Sequence, residues 1–182
     1  IDPAPWITLL HDRFGMDEEA LRAYIWHQPN SQLISLLTRS HQPPSRPAPI
    51  SMGLPFIRTT LRFPKMTTGG TLLVGPLATR HVIDLDEPQL NAYYSRQTYI
   101  ALRPEQTICC ESMGYVIVKF EGIVLGQGFY RPASTQGEEP ANFDSFYPKA
   151  FANHAQTLRP HNEYFLDRAR PGFFLLRRTS RM

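Results

Sequence analysis

Apolar and polar positions change period several times along this chain, and the sharpest pattern lies between Gly114 and Tyr130, GYVIVKFEGIVLGQGFY. Tyr115 to Phe120 is β-branched and aromatic, Glu121-Gly122 fits a two-residue primed turn, and IVLGQGFY returns, so the stretch predicts a tight β-hairpin. With a period of two, Val124, Gly126, Gly128 and Tyr130 fall on one face of the return strand. Ile123, Leu125, Gln127 and Phe129 fall on the other. Two same-face glycines admit two readings: a bend or barrel corner, or a place where another backbone or a ligand comes close.

Earlier in the chain, FGMDEEALRAYIWHQP predicts a short helix. Asp17 caps it, Glu18 and Glu19 occupy its first turn, Leu21, Tyr24 and Ile25 line one face, and Pro29 stops it. QLISLLT (Gln32 to Thr38) predicts a strand. HQPPSRPAP (His41 to Pro49) has no apolar period and reads as an extended linker at a boundary. LPFIRTTLRF (Leu54 to Phe63) reads as extended, PKMTTGG as a polar loop, and TLLVGPLA as a short apolar run. TRHVIDL (Thr79 to Leu85) contains a strand, followed by a helix with Asp86 as cap, Pro88 in its first turn and Leu90, Tyr93 and Tyr94 as its apolar stripe. A strand near Gln97 to Ala101 leads to the hairpin, ASTQGEEPANFDS reads as a polar loop, and GFFLLRR (Gly172 to Arg178) as an edge strand. Several short strands with few helices between them predict an α+β fold, a small mixed barrel or sandwich, and not a doubly wound sheet.

At 182 residues with 42% hydrophobic content, the chain can bury a core and is not of disordered composition. No apolar run approaches the roughly 18 residues of a membrane span. The only cysteines, Cys109 and Cys110, are adjacent, which argues against a disulfide scaffold and suits a reducing cytoplasm. The net charge is +3, but it is segregated. Residues 51–80 hold Arg58, Arg62, Lys65 and Arg80 and no acid, the last thirty residues are arginine-rich, and residues 81–152 are net acidic. Only Lys65, Lys119 and Lys149 are lysines. Arginine suits bidentate phosphate contact and stacking on bases, although a GC-rich genome produces the same excess.

Motifs for chemistry are missing. TTGGTLLVGP is glycine-rich but lacks the Gly-Lys-Ser/Thr ending of a phosphate loop, and Pro76 spoils the helix start that a dinucleotide fold requires. Cys109 and Cys110 have no histidine near in sequence to lower a thiol pKa, and read as small buried residues at a strand end. The six histidines form no metal-ligand grouping. Asp84, Asp86 and Glu87 are explained by helix capping. The expectation is a non-catalytic chain with no cofactor and no metal.

The succession ATRHVIDL, a helix ending AYYS, an extended segment and then GYVIVKFEGIVLGQG resembles the PUA superfamily. The likeness is greatest to the PUA-like C-terminal region of RNA 5-methylcytosine methyltransferases of the RsmF and Sun type. YPKA (Tyr147 to Ala150) resembles the Tyr-Pro-Lys segment that follows the hairpin there. GFY stands where a basic residue often follows the second glycine, and the loop from Ala133 to Ser145 is acidic; both depart from the family pattern. The resemblance covers roughly residues 53–152. It implies a PUA-like mixed β pseudo-barrel with few helices over residues 51–152, preceded by a small α/β segment and linker over 1–50 and followed by a basic extension over 153–182. It also implies binding of structured RNA such as tRNA or rRNA, in RNA modification or ribosome biogenesis, beside a catalytic protein subunit.

On that expectation, Arg58, Arg62, Lys65 and Arg80 supply the affinity, with Lys119, Arg131, Lys149 and the Arg177-Arg178 pair as a second edge. Each phosphate neutralised releases counterions. Selectivity comes from shape, 2′-hydroxyls or unpaired bases held near Gly126 and Gly128, with Thr67, Thr68 and Gln127 as hydrogen-bond partners. Two alternatives stand beside it. One is a protein-interaction module anchored by Tyr93, Tyr94, Phe129 and Tyr130. The other is a non-catalytic fragment of an RNA methyltransferase.

Overall fold

Three helical segments and four strands precede the first expected PUA-like helix. They are α1 (Ala4–Phe14), α2 (Glu18–Arg22), β1 (Tyr24–Asn30), β2 (Leu33–Thr38), β3 (Leu54–Arg58), β4 (Lys65–Met66) and α3 (Thr68–Val74). They are followed by β5 (Val82–Asp84), α4 (Glu87–Tyr94), β6 (Ile100–Ala101), β7 (Gly114–Phe120), β8 (Ile123–Arg131) and β9 (Asn142–Ser145). A computed structural model of the chain describes residues 1–152 other than 43–45, 47, 48, 50, 62, 64 and 135–138. Most of the Pro-rich segment, the GFFLLRR strand and the basic extension lie outside the described residues, as do Arg62, Arg177 and Arg178.

The architecture is α+β with two sheets. One is antiparallel, in the order β1-β2-β3-β4; the other has the order β5-β7-β8-β9-β6, with β5 parallel to β7 and the remaining pairs antiparallel. The first sheet takes β1 and β2 from before the Pro-rich segment and β3 and β4 from after it. Residues from both sides of that segment, among them Trp26, Ile34, Phe56 and Ile57, share one core cluster. A second cluster is built from Ile83, Tyr93, Val116, Val118 and Phe143. Strand β7 separates the two: Val116 and Val118 face the second cluster while Ile117 faces the first.

The hairpin forms as its pattern predicts, with Phe120 opposite Ile123 and Gly114 opposite Tyr130. A bulge leaves Leu125 unpaired, since Lys119 faces Val124 and Val118 faces Gly126. An extra residue reverses the alternation on one side of itself. Val124 therefore leaves the face expected for it and packs with the first cluster, while Gly126 and Gly128 keep a common face. Asp86 caps α4, as the sequence predicts, and does so through a reciprocal capping box with Gln89.

Three expectations fail. The helix that starts at Asp17 stops at Arg22, and Tyr24 to Asn30 is strand β1 instead. Aromatic and β-branched residues favour a pleated surface, and Trp26 is held there by a 5.3 Å edge-on contact with Phe56 and an Nε1–H bond to the Leu21 carbonyl. The Leu21-Tyr24-Ile25 stripe fits a helix only by coincidence, because Ile25 is exposed. TGGTLLV is helix α3, where the sequence suggested the end of a polar loop and the start of a short apolar run. Thr67 caps it, and at Gly70 a Cβ would lie 2.6 Å from the Phe56 ring, so the glycine lets the helix lie against β3. Finally, the end of the expected loop at 133–145 is strand β9, drawn in because Phe143 is fully buried between β8 and β6.

Candidate functional site

A cleft of about 880 Å³ opens between β3, β4 and the start of α3 on one side and β8 with the segment after β9 on the other. Its lining brings together Arg58, Lys65, Thr67, Gly126, Gln127 and Lys149 from the expected RNA-binding set. Leu54, Leu61, Met66 and Phe146 supply apolar wall. Strand β3 ends with the exposed Arg58 directly opposite Lys65 of β4, so the short two-strand pairing sets the two cations side by side.

Lys65 is half-buried, and its Nζ lies 3.7 Å from the centre of the Phe146 ring and 5.4 Å from that of Tyr115. The ring faces attract the ammonium. Burial, and then the charges of Arg58 and Arg96, pull the Lys65 pKa below its ordinary value. No ion pair among the described residues gives Arg58, Lys65 or Lys149 a carboxylate partner. The cleft therefore holds positive charge that nothing in the described structure neutralises.

At the inner wall, Gln127 is 5% exposed and its Nε2 is buried without a hydrogen-bond partner. Its backbone carbonyl is engaged, accepting from the Tyr93 hydroxyl at 3.0 Å and from the Phe146 amide at 3.1 Å. The two glycines on either side turn the other way. A Cβ on Gly126, whose φ is +153°, would sit 2.6 Å from the Tyr93 hydroxyl oxygen; one on Gly128 would sit 2.5 Å from the Phe143 ring. Core rings thus occupy both bare positions, and only the backbone of Gly126 borders the cleft.

Thr67 lines the cleft, but its hydroxyl is committed: it donates to the Pro55 carbonyl at 2.5 Å and accepts from the Gly70 amide at 3.0 Å. Thr68 lines it too and is exposed. The other described candidates stand away from the cleft lining. Arg80 pairs with Glu111 at 2.6 Å. Arg131 is clamped by both oxygens of Asp144 at 2.7 Å, which raises its pKa further. Lys119 reaches the Ala78 carbonyl at 3.5 Å.

Folding brings His81 beside the cysteines, its amide donating to the Cys109 carbonyl at 2.8 Å. Burial, reinforced by Cys109, pushes the Cys110 thiol up to about 12, and Cys109 Sγ donates to the Val82 carbonyl at 3.0 Å. Among the described residues no three His, Cys, Asp or Glu side chains group as metal ligands, and no helix is long and apolar enough to cross a membrane. Of the aromatic anchors expected for a protein interface, Tyr93 and Tyr130 are core residues, 0% and 3% exposed.

Leu54, Leu61, Met66 and Phe146 escaped the sequence reading as site residues because short apolar runs carry no sign of which face stays open. The signals for the far wall were the glycine-bearing hairpin, which supplies Gly126 and Gln127, and the Tyr-Pro-Lys segment, which supplies Pro148 and Lys149. No protein family, characterised protein or solved structure shows significant similarity to this chain.

Proposed function

We propose that this chain is a PUA-like RNA-binding module without catalytic activity of its own, and that the cleft between its two sheets is where RNA is held. The observation that carries the reading is the convergence of Arg58, Lys65 and Lys149, none with a carboxylate partner among the described residues, on one cleft that also holds a buried unpaired amide. Cations left without acidic partners attract polyanions, and their neighbours Arg80 and Arg131 show what a partnered arginine looks like in the same fold. The chain order of strand, helix, hairpin and Tyr-Pro-Lys segment supports the PUA-like assignment, and structured tRNA or rRNA is the class of ligand that goes with it.

The test is a fluorescence-anisotropy titration of folded tRNA against the wild type and an Arg58→Ala/Lys65→Ala/Lys149→Ala variant. All three substitutions lie at half-buried or exposed positions, so the fold should survive. We expect the variant to bind at least tenfold more weakly at low salt. Equal affinities would remove the proposed surface.

A further inference from the structure

The walls of the cleft suit a more specific ligand than a phosphate chain. Leu54 and Leu61 are exposed hydrophobic residues at its edge, 38% and 43% accessible, with the buried Met66 between the two sheets. A bare phosphate gains nothing from such walls, and an uncharged apolar peptide gains nothing from three cations. A nucleotide offers both an anion and a flat apolar ring with hydrogen-bonding edges. At about 880 Å³ the cleft is of the size that encloses small organic ligands.

Gln127 decides which part of a nucleotide goes inward. Its Nε2 is a buried donor with no acceptor, set in a wall otherwise satisfied by backbone pairing. Buried donors are nearly always paired, so an unpaired one in a residue that lines a cleft is a candidate place for an absent acceptor. Phosphates are already served by the cations at the rim, whereas every base carries an acceptor on its edge. A base inside a duplex is stacked and paired and cannot reach a residue that is 5% exposed. An unpaired base can.

We propose that the cleft accepts a single unpaired nucleotide of an RNA, its phosphate held by Arg58, Lys65 and Lys149 and its base edge accepting a hydrogen bond from Gln127 Nε2. This inference rests on the RNA-binding reading and deepens it. It narrows the selectivity that the sequence spread over shape, 2′-hydroxyls, the backbone near Gly126 and Gly128, and Thr67, Thr68 and Gln127 to one of these, the Gln127 side chain.

Three RNA hairpins test it: one with a single bulged uridine, one fully paired, and one with an abasic nucleotide at the bulge. The wild type should bind the bulged hairpin about tenfold more tightly than the paired one, and the abasic site should abolish the difference. Gln127→Leu should lose the preference, binding the bulged hairpin no more tightly than the paired one. Equal affinity for all three hairpins overturns the nucleotide pocket but leaves RNA binding standing. That comparison uses only the wild type, so it does not depend on the folding of the variant. Uridine 5′-monophosphate bound as tightly as the bulged hairpin would overturn the assignment to RNA. Failure to bind any hairpin, with the cleft triple variant indistinguishable from wild type, would remove the RNA-binding reading itself.

Discussion

Gly126 and Gly128 can be assigned a physical task that the sequence left open between packing and recognition. An added methyl at either position meets a core ring, and at Gly128 also the Asp144 carbonyl at 2.9 Å. Gly126→Ala and Gly128→Ala should each destabilise the protein by about 1–3 kcal/mol, as overpacked cores do, read as a lower urea midpoint. A second residue-scale consequence concerns His81. It is buried, takes a left-handed backbone conformation at φ 50°, and has an unpartnered Nδ1. Burial, then the charge of Arg13 and more weakly Arg80, against Glu111, hold its pKa down to about 4. The unfolded chain binds that proton near pH 6.5, so below this the unfolded state takes up more protons and stability falls, the loss being complete near pH 4. Between pH 8 and 4.5 the wild type should lose roughly 2–3 kcal/mol more than His81→Asn, a replacement that tolerates the backbone conformation but does not titrate. Parallel losses in urea titrations at the two pH values would show that His81 does not ionise on unfolding.

At the scale of elements, legibility followed how local the determining forces are. The N-cap of α4 and the hairpin turn are set by residues within a few positions of one another, and both were readable. Asp86→Ala should cost about 1 kcal/mol through loss of the bond to the Gln89 amide, with the exposed Arg103 pair adding little. Thermal or urea unfolding checks it, and an unchanged midpoint would mean that the cap is dispensable. Where a distant partner decides, the sequence misled. Tyr24 to Asn30 becomes a strand because β2 pairs with it and Phe56 receives Trp26. Thr68 to Val74 becomes a helix because β3 offers a surface that a glycine-bearing helix can approach closely. The bulge at Leu125 belongs with these, since no local signal in IVLGQG marks which residue drops out of register.

Over the whole molecule, the net charge of +3 says little about where positive charge stands without an acidic partner. What matters is which cations acquire acidic partners, and that depends on the packing of segments far apart in sequence. In sequence Arg80 ranked with Arg58, and Arg131 with Lys149 on a second edge; Glu111 beside Arg80 and Asp144 beside Arg131 separate them. The cation-rich, acid-free character of residues 51–80 was legible and does point to one wall of the cleft. The opposite wall, with Gln127, Phe146 and Lys149, was visible only as separate candidates or not at all. Salt dependence tests the sorting. Removing Arg58, Lys65 and Lys149 together should flatten the slope of log affinity against log salt by about 2, whereas removing Arg131 should leave it nearly unchanged. Equal flattening by both would mean that ion pairing does not separate the two groups.

The first sheet carries a practical corollary. β3 forms a wall of the cleft and is laid against β2, with Leu54 beside Leu36 and Ile57 beside Ile34. A fragment begun at residue 51 would strip that wall of its neighbour and bare Phe56, which is fully enclosed in the intact chain. The proposed recognition surface is consequently no detachable cassette: the stretch that reads like a preface supplies two of the four strands of the sheet that backs the cleft.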